Sequence, residues 1–275
     1  MTASTPGLAR TGLPQGKRGF RISRPSDRLL YALAGFVVVL TIWELASALG
    51  LVKKVTLSAP SIIVQTFFED LLSGVIIGHI LQSGQYYILG LGLGLITGIP
   101  LGLAFGLFRR LNYIFDPWLS AIYATPTIAL VPLIVIIFGL GIGAKVFIVW
   151  LEAIFVITVS VIGGVRAADQ RHLDLAKSFG ASKWLRFKSV IVPTSVPFIL
   201  TGVRLGATRA IVGVVVAEFF ASNAGIGFYI NFSGTILRTD RVYVGVILLG
   251  VLGIAIGEII RRAEQRFEQW RPAIN

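Results

Sequence analysis

The chain has 275 residues, 55% of them hydrophobic and 14% charged, with a mean hydropathy of +0.82 and a formal net charge of +12. This lies far outside the soluble globular range and implies an integral membrane protein with room for roughly five to seven spans of ~20 residues, which leaves no space for a second folded domain. Its basic excess sits in the loops between apolar runs, where it sets orientation, so nucleic acid is excluded as a partner; zero cysteines exclude disulfides and thiolate metal sites.

Residues 1–28 form a tail rich in Gly, Pro, Arg and Lys that is expected to be disordered, and the first span follows from Leu29 to Leu49. Ala46-Ser47-Ala48 imitates a signal-peptidase site, but the apolar stretch before it is longer than a secretory core and carries Glu44, which favours an uncleaved helix. A second span, near Ile80 to Phe108, contains Gly90, Gly92, Gly94, Gly98, Gly102 and Gly106, mostly four residues apart; this lays a close-packing stripe on one face and is no phosphate loop. The third, Trp118 to Phe138, is interrupted by Pro126 and Pro132, whose freed carbonyls call for either deep packing or a wet path. Both readings stay open.

A fourth span covers Lys145 to Val165, a fifth begins after Pro193 or Pro197 and reaches Phe220, and a sixth covers Val242 to Ile260. Between the last two, Ser222 to Asp240 is too polar to span and, with Phe228, Tyr229 and Phe232, too aromatic for a plain loop. A short interfacial or re-entrant helix capping the bundle is predicted there. The predicted fold is an all-α polytopic membrane helix bundle of about six transmembrane helices over residues 29–262, with a charged tail at 263–275.

Six spans put both termini on one side. The two tails, the Arg109-Arg110 loop and the loop from Arg166 to Lys188 hold eighteen Lys and Arg, against Lys53, Lys54, Lys145, Arg238 and Arg241 on the other side. The positive-inside rule therefore places the termini and the Arg166 loop in the cytoplasm. That loop reads as two short helices. Asp169 caps the first, Leu173, Ala176, Phe179 and Gly180 share an arc of one face, and Gly180 suits a left-handed stop. Ser182 caps the second, which carries Trp184, Leu185 and Phe187, and Pro193 and Pro197 mark a turn into the next span. From composition alone, an amphipathic loop resting on anionic membrane lipid is the simpler account.

Asp174-Leu175-Ala176, Gly180, Val190, Val192 and Pro193 nevertheless match, with spacing intact, the cytoplasmic loop of the membrane subunit of bacterial ATP-binding cassette importers: Glu-Ala-Ala, three residues, Gly, nine residues, Ile, one residue, Leu-Pro. The chain resembles that family over roughly Leu29 to Trp270. It departs in Asp174, Leu175, Val190 and Val192. The resemblance implies that the loop at 166–193, with Asp169, Asp174, Ala176, Gly180, Ala181 and Pro193, docks on a separate ATPase subunit as a coupling helix. It also implies a type I importer-like permease, paired with a second permease copy and served by an extracytoplasmic solute-binding protein, in a bacterial inner membrane.

Ala124-Thr125-Pro126, Gly202-Val203-Arg204-Leu205, Arg209-Ala210, the run Val214 to Glu218 and Gly225-Ile226-Gly227 look like the branch importing sulfonates, taurine, nitrate, bicarbonate or thiamine-precursor pyrimidines. The chain itself has no nucleotide-cradling motif and no metal-spaced His/Glu cluster, so no catalytic residue, metal or cofactor is expected in it, and ATP is the partner's. Pro126, Pro132, Arg204, Arg209 and Glu218 are the candidate translocation-path residues, because charge inside a span is costly unless paired or facing water. A structural Arg209–Glu152 pair is one reading, and attraction of an anionic solute by Arg209 is the other. A stand-alone secondary transporter would need a repeat with matching broken spans, of which only the Pro126/Pro132 interruption is present; a membrane scaffold would need no gateable path.

Overall fold

The computed structural model describes residues 25–53 and 56–267, so most of the expected disordered tail and the last eight residues lie outside the described part. Eleven helices follow in chain order: α1 (Pro25–Ala48), α2 (Pro60–Leu72), α3 (Val75–Leu107), α4 (Arg109–Ala124), α5 (Thr127–Phe138), α6 (Ile142–Arg166), α7 (Gln170–Ser178), α8 (Lys183–Arg186), α9 (Val192–Ala221), α10 (Ile226–Thr235) and α11 (Thr239–Phe267). Five helical stretches among the described residues are long and apolar enough to cross a membrane, and the bent pair α4–α5 makes a sixth if it counts as one span.

At the centre, α6 is sandwiched between α3 and α9. Gly90, Gly94, Gly98, Gly102 and Gly106 face Val149, Ala153, Ile157, Val161 and Val165 in turn, so two four-residue ladders interlock. A Cβ added at Gly102 would lie 2.6 Å from the Val161 Cβ. In lipid, where apolar burial drives little association, such close backbone approach supplies the packing energy. The predicted stripe is therefore real, except that Gly92 faces open space. On the other side of α6, Gly202, Gly206 and Gly213 of α9 bring it against Ser160, Ile157 and Val149.

Three boundaries differ from the sequence reading. The third span breaks at Thr125-Pro126, where α4 and α5 meet at 101°, whereas Pro132 lies inside α5. A proline in the second turn of a helix of twelve residues removes one donor, but α5 runs unbroken across it. Pro193 and Pro197 do not turn the chain either. Between α8 and α9 a π turn, Phe187–Ile191, carries the helix through, with the Val192 amide reaching back to the Phe187 carbonyl. The wider turn makes room for the Pro193 ring, and hydroxyls of Thr194 and Ser195 bond the Val190 and Ile191 carbonyls at 2.7 Å each. Finally, α11 continues as helix to Phe267, beyond the sixth predicted span.

Helix α2 was not anticipated. Pro60 opens it, but Ala59 at its N-cap offers no side-chain cap. Glu44 of α1 substitutes: its carboxylate accepts from the Ser61 amide at 3.0 Å and the Ser61 hydroxyl at 2.7 Å. Trp43 Nε1 donates to the Ser58 carbonyl at 3.0 Å, and the Ser47 hydroxyl to that of Leu57 at 3.2 Å. The carboxylate inside the first span is thus part of the clasp that, with Trp43 and Ser47, holds α1, exposed from Leu29 to Val39, to the bundle. Glu44→Ala should release this clasp, and limited proteolysis should cut the α1–α2 connection several-fold faster while α3–α9 stays protected.

Candidate functional site

The loop at one end of the bundle has the anticipated local structure. Asp169 caps α7, its Oδ1 accepting from the Arg171 amide at 2.8 Å, and Ser182 caps α8 by accepting from the Leu185 amide at 3.2 Å. Gly180 takes φ +76°, and the pair Ala181 N to Ala176 O at 3.0 Å and Gly180 N to Lys177 O at 2.9 Å closes a left-handed stop. Asp174 is exposed, holding Gln170 Nε2 at 3.2 Å and, through its carbonyl, the Ser178 hydroxyl. Leu173 and Ala176 are half-covered, but Phe179 is 83% exposed, with Leu175, Trp184 and Leu185 exposed beside it. A cap-locked helix pair that displays large apolar side chains is built to be covered.

Between α4, α5, α6 and α9 run two cavities. One, of about 430 Å³, lies against the Thr125-Pro126 bend and is lined by Tyr123, Pro126, Glu152, Phe155 and Arg209. The other, about 590 Å³, shares Tyr123, Phe155 and Val156 with it and continues past Ser120 and Ser160 to Asp116, Asn112 and Arg166. The two adjoin at these shared residues and together reach from the bend to the base of the α6–α7 loop, a candidate track. Arg209 Nη1 stands 4.0 Å from Glu152 Oε2; the arginine side chain is half-exposed and the glutamate mostly covered. This is a loose pair, with the guanidinium facing the cavity and most of its donors uncommitted. Asn112 Oδ1, buried at the far end, has no hydrogen-bond partner.

The other path candidates fall elsewhere. Arg204 pairs with Glu264 of α11 at 3.2 Å and lines neither cavity. Pro132 is exposed on the outer side of α5, away from Val131 and Ile134, which pack in the core. Glu218 is fully buried. Its carboxylate accepts from the Ser83 hydroxyl and the Gly227 amide, both at 2.7 Å, while the Ile226 amide donates to Ser83 Oγ at 2.8 Å and the Gly225 amide to His79 Nδ1 at 3.0 Å. The amides of the α10 N-cap and of its first two residues thereby find acceptors. Gly225, at φ +110°, and Gly227 are required because a Cβ at either would strike the Glu218 side chain.

Residues that the sequence reading missed complete this end of the bundle. Asp70 of α2 accepts from the Tyr229 hydroxyl at 2.7 Å and pairs with Arg241 at 2.8 Å; Asp240 accepts from Thr66 and pairs with Arg238 at 2.6 Å. Burial, with Asp70 taking its hydrogen bond, pushes the Tyr229 phenol above its ordinary range, and the Asp240 carboxylate raises the Arg238 guanidinium. The predicted capping helix is therefore α10, pinned by carboxylates from α2 (Asp70) and α9 (Glu218), while Asp240 of α11 ties the α10–α11 connection to α2 through Arg238 and Thr66.

Comparison with known proteins identifies this architecture. The model of a family described as binding-protein-dependent transport system inner membrane component matches residues 90–269. The Bacillus subtilis (strain 168) protein SsuC, whose name assigns it provisionally to aliphatic sulfonates transport as a permease, is 32% identical over 85% of both chains. The taurine transport system permease protein TauC of Escherichia coli K12 is 28% identical over 89% of this chain and 91% of its own. The formylaminopyrimidine transport permease protein ThiX of Halalkalibacterium halodurans is 30% identical over 86% and 94%. In fold, the chain is similar to a crystal structure of an amino acid ABC transporter with histidines, with a TM-score of 0.58 and 16% identity over 74% of this chain and 97% of that one. The chain belongs to the binding-protein-dependent transport system inner membrane components, as a membrane-spanning permease subunit of an ATP-binding cassette importer.

Proposed function

We propose that this permease conducts a small anionic solute, of the sulfonate, taurine, nitrate or bicarbonate type, along the track that begins at Arg209 and ends near Arg166. The observation that carries the reading is the half-exposed, loosely paired Arg209 at the head of two adjoining cavities that also present Ser120, Ser160 and Asp116. A cation in a low-dielectric cavity attracts an anion strongly, and Glu152 is close enough to take the guanidinium back when the solute leaves. The names of SsuC and TauC support that solute class. A formylated pyrimidine, after ThiX, is the second reading.

In this proposal the 166–193 loop, through Asp169, Asp174, Ala176, Gly180, Ala181 and Pro193, seats on a separate ATPase subunit that supplies ATP hydrolysis. The unbroken helix from α8 through the π turn into α9 gives that movement a rigid lever reaching Arg209. A solute-binding protein delivers the anion at the opposite end, and a second copy of the chain, packed on the α4–α5 side where Pro132 is exposed, completes the path. Both termini lie in the bacterial cytoplasm in this reading, which the basic loops support through the positive-inside rule. Arg209→Ala should abolish solute uptake by vesicles carrying the whole importer while ATPase and permease still copurify; loss of folded permease instead would make the Arg209–Glu152 pair purely structural.

A further inference from the structure

Lys145, in the first turn of α6 at the end away from the coupling loop, is the cation among the described residues that is buried, at 7% exposure. No carboxylate of the described residues lies within ion-pair distance of it. Its ammonium is 3.3 Å from the Tyr86 hydroxyl and 5.1 Å from the centroid of that ring. Gln82 Nε2 donates to the same hydroxyl at 2.7 Å, so the Tyr86 oxygen accepts twice and its proton is free to be donated. Two ammonium hydrogens are likewise uncommitted. These donors line a cavity of about 310 Å³ together with Ser222, Asn223 and Phe220 at the α9–α10 turn. Glu218, the buried carboxylate nearest in the network, spends its hydrogen bonds on Ser83 and Gly227 and takes none from Lys145.

A buried ammonium with no carboxylate in ion-pair contact is costly, Glu218 acting on it electrostatically from beyond ion-pair distance. Here it faces a small chamber edged also by the Tyr86 hydroxyl and the Asn223 side-chain amide. The volume stands at the low end of ligand pockets, of the order needed for a short-chain anion. Lys145 precedes Glu152 by two helical turns on nearly the same face, ~10 Å along α6, so the chamber stands one step ahead of Arg209. We propose that the Lys145 chamber is a second anion-binding site, taking a small organic oxyanion such as a sulfonate or carboxylate before it reaches Arg209. This rests on the anionic-solute reading of the track, but it makes a separate prediction.

The test uses purified full-length chain in mild detergent at constant ionic strength, with ethanesulfonate as the probe and ethyl methyl sulfone as its neutral counterpart. Ethanesulfonate should raise the melting temperature of the wild type and of Arg209→Ala, the sulfone should not, and Lys145→Met should lose the response. Should Lys145→Met fail to fold, Asn223→Ala, at an exposed edge of the chamber, should shift the half-maximal ethanesulfonate concentration upward several-fold. The proposal is overturned by an equal response to the sulfone, by no response in the wild type, by an unchanged response in Lys145→Met, or by an unshifted one in Asn223→Ala. A response lost in Arg209→Ala but kept in Lys145→Met also overturns it. If the assembled importer takes up no sulfonate while the Lys145-dependent response persists, the solute assignment of the track fails and the chamber stands.

Discussion

Gly102→Leu will leave little folded permease in the membrane, whereas Gly92→Leu on the same helix will be tolerated. A side chain at 102 begins 2.6 Å from the Val161 Cβ and 2.9 Å from the Thr158 carbonyl oxygen, so α3 must move off α6 along five interlocked positions; at 92 it meets nothing within 4 Å. Overpacking a tight seam costs about 1–3 kcal/mol at a single site, and here the displaced element is a 33-residue helix whose attachment depends on close approach. The yield of monodisperse protein after detergent extraction, compared between the two variants, measures the difference. Both add the same apolar bulk, so hydropathy and insertion cancel in the comparison. Equal yields would mean that the α3–α6 seam is not what holds the core together.

Removing the Glu218 carboxylate should do comparable damage at the opposite end from the coupling loop. In Glu218→Ala the Gly227 amide and Ser83 hydroxyl lose their acceptor inside a buried shell, at about 1–3 kcal/mol for each stranded donor. Gly225→Ala should disturb the same shell differently, by forcing a Cβ into the carboxylate at a backbone angle, φ +110°, that side chains avoid. Hydrogen exchange should show α10 losing protection in both variants while α7 is unchanged. Glu218→Gln should retain part of the protection, because its carbonyl oxygen still accepts one of the two hydrogen bonds. If Glu218→Ala leaves α10 protected, the carboxylate is not its anchor, and a role in the path returns as the better account.

Sequence carried the fold where a single chain pattern decides local structure. The glycine ladder of α3, the caps at Asp169 and Ser182 and the stop at Gly180 are local, and each stands where the residues placed it. Partnership across the chain was not legible. Asp70 and Asp240 are far apart in sequence from Tyr229 and Thr66, and nothing local marks them as buried. Glu218 and Arg204 were grouped with the path because both are charges in one span, yet their partners, Ser83 and Glu264, come from α3 and α11. Helix α2 escaped because its thirteen residues are too short to span and its cap is lent by Glu44 of another helix. The prolines misled in the opposite direction: a π turn let the helix pass Pro193, a solution that residue type alone does not announce.

In the proposed importer the exposed α7–α8 surface transmits the work of a separate ATPase to this chain. Phe179 tests it most directly, since at 83% exposure its side chain contributes little to the folded permease itself. The measurement is copurification of the candidate ATPase subunit with tagged permease from mild detergent, wild type against Phe179→Asp, with monodispersity monitored for both. The account predicts that the ATPase follows the wild type and is lost from an equally monodisperse Phe179→Asp. An ATPase that follows both equally would contradict it, and a wild type that retains none would return the loop to the lipid surface.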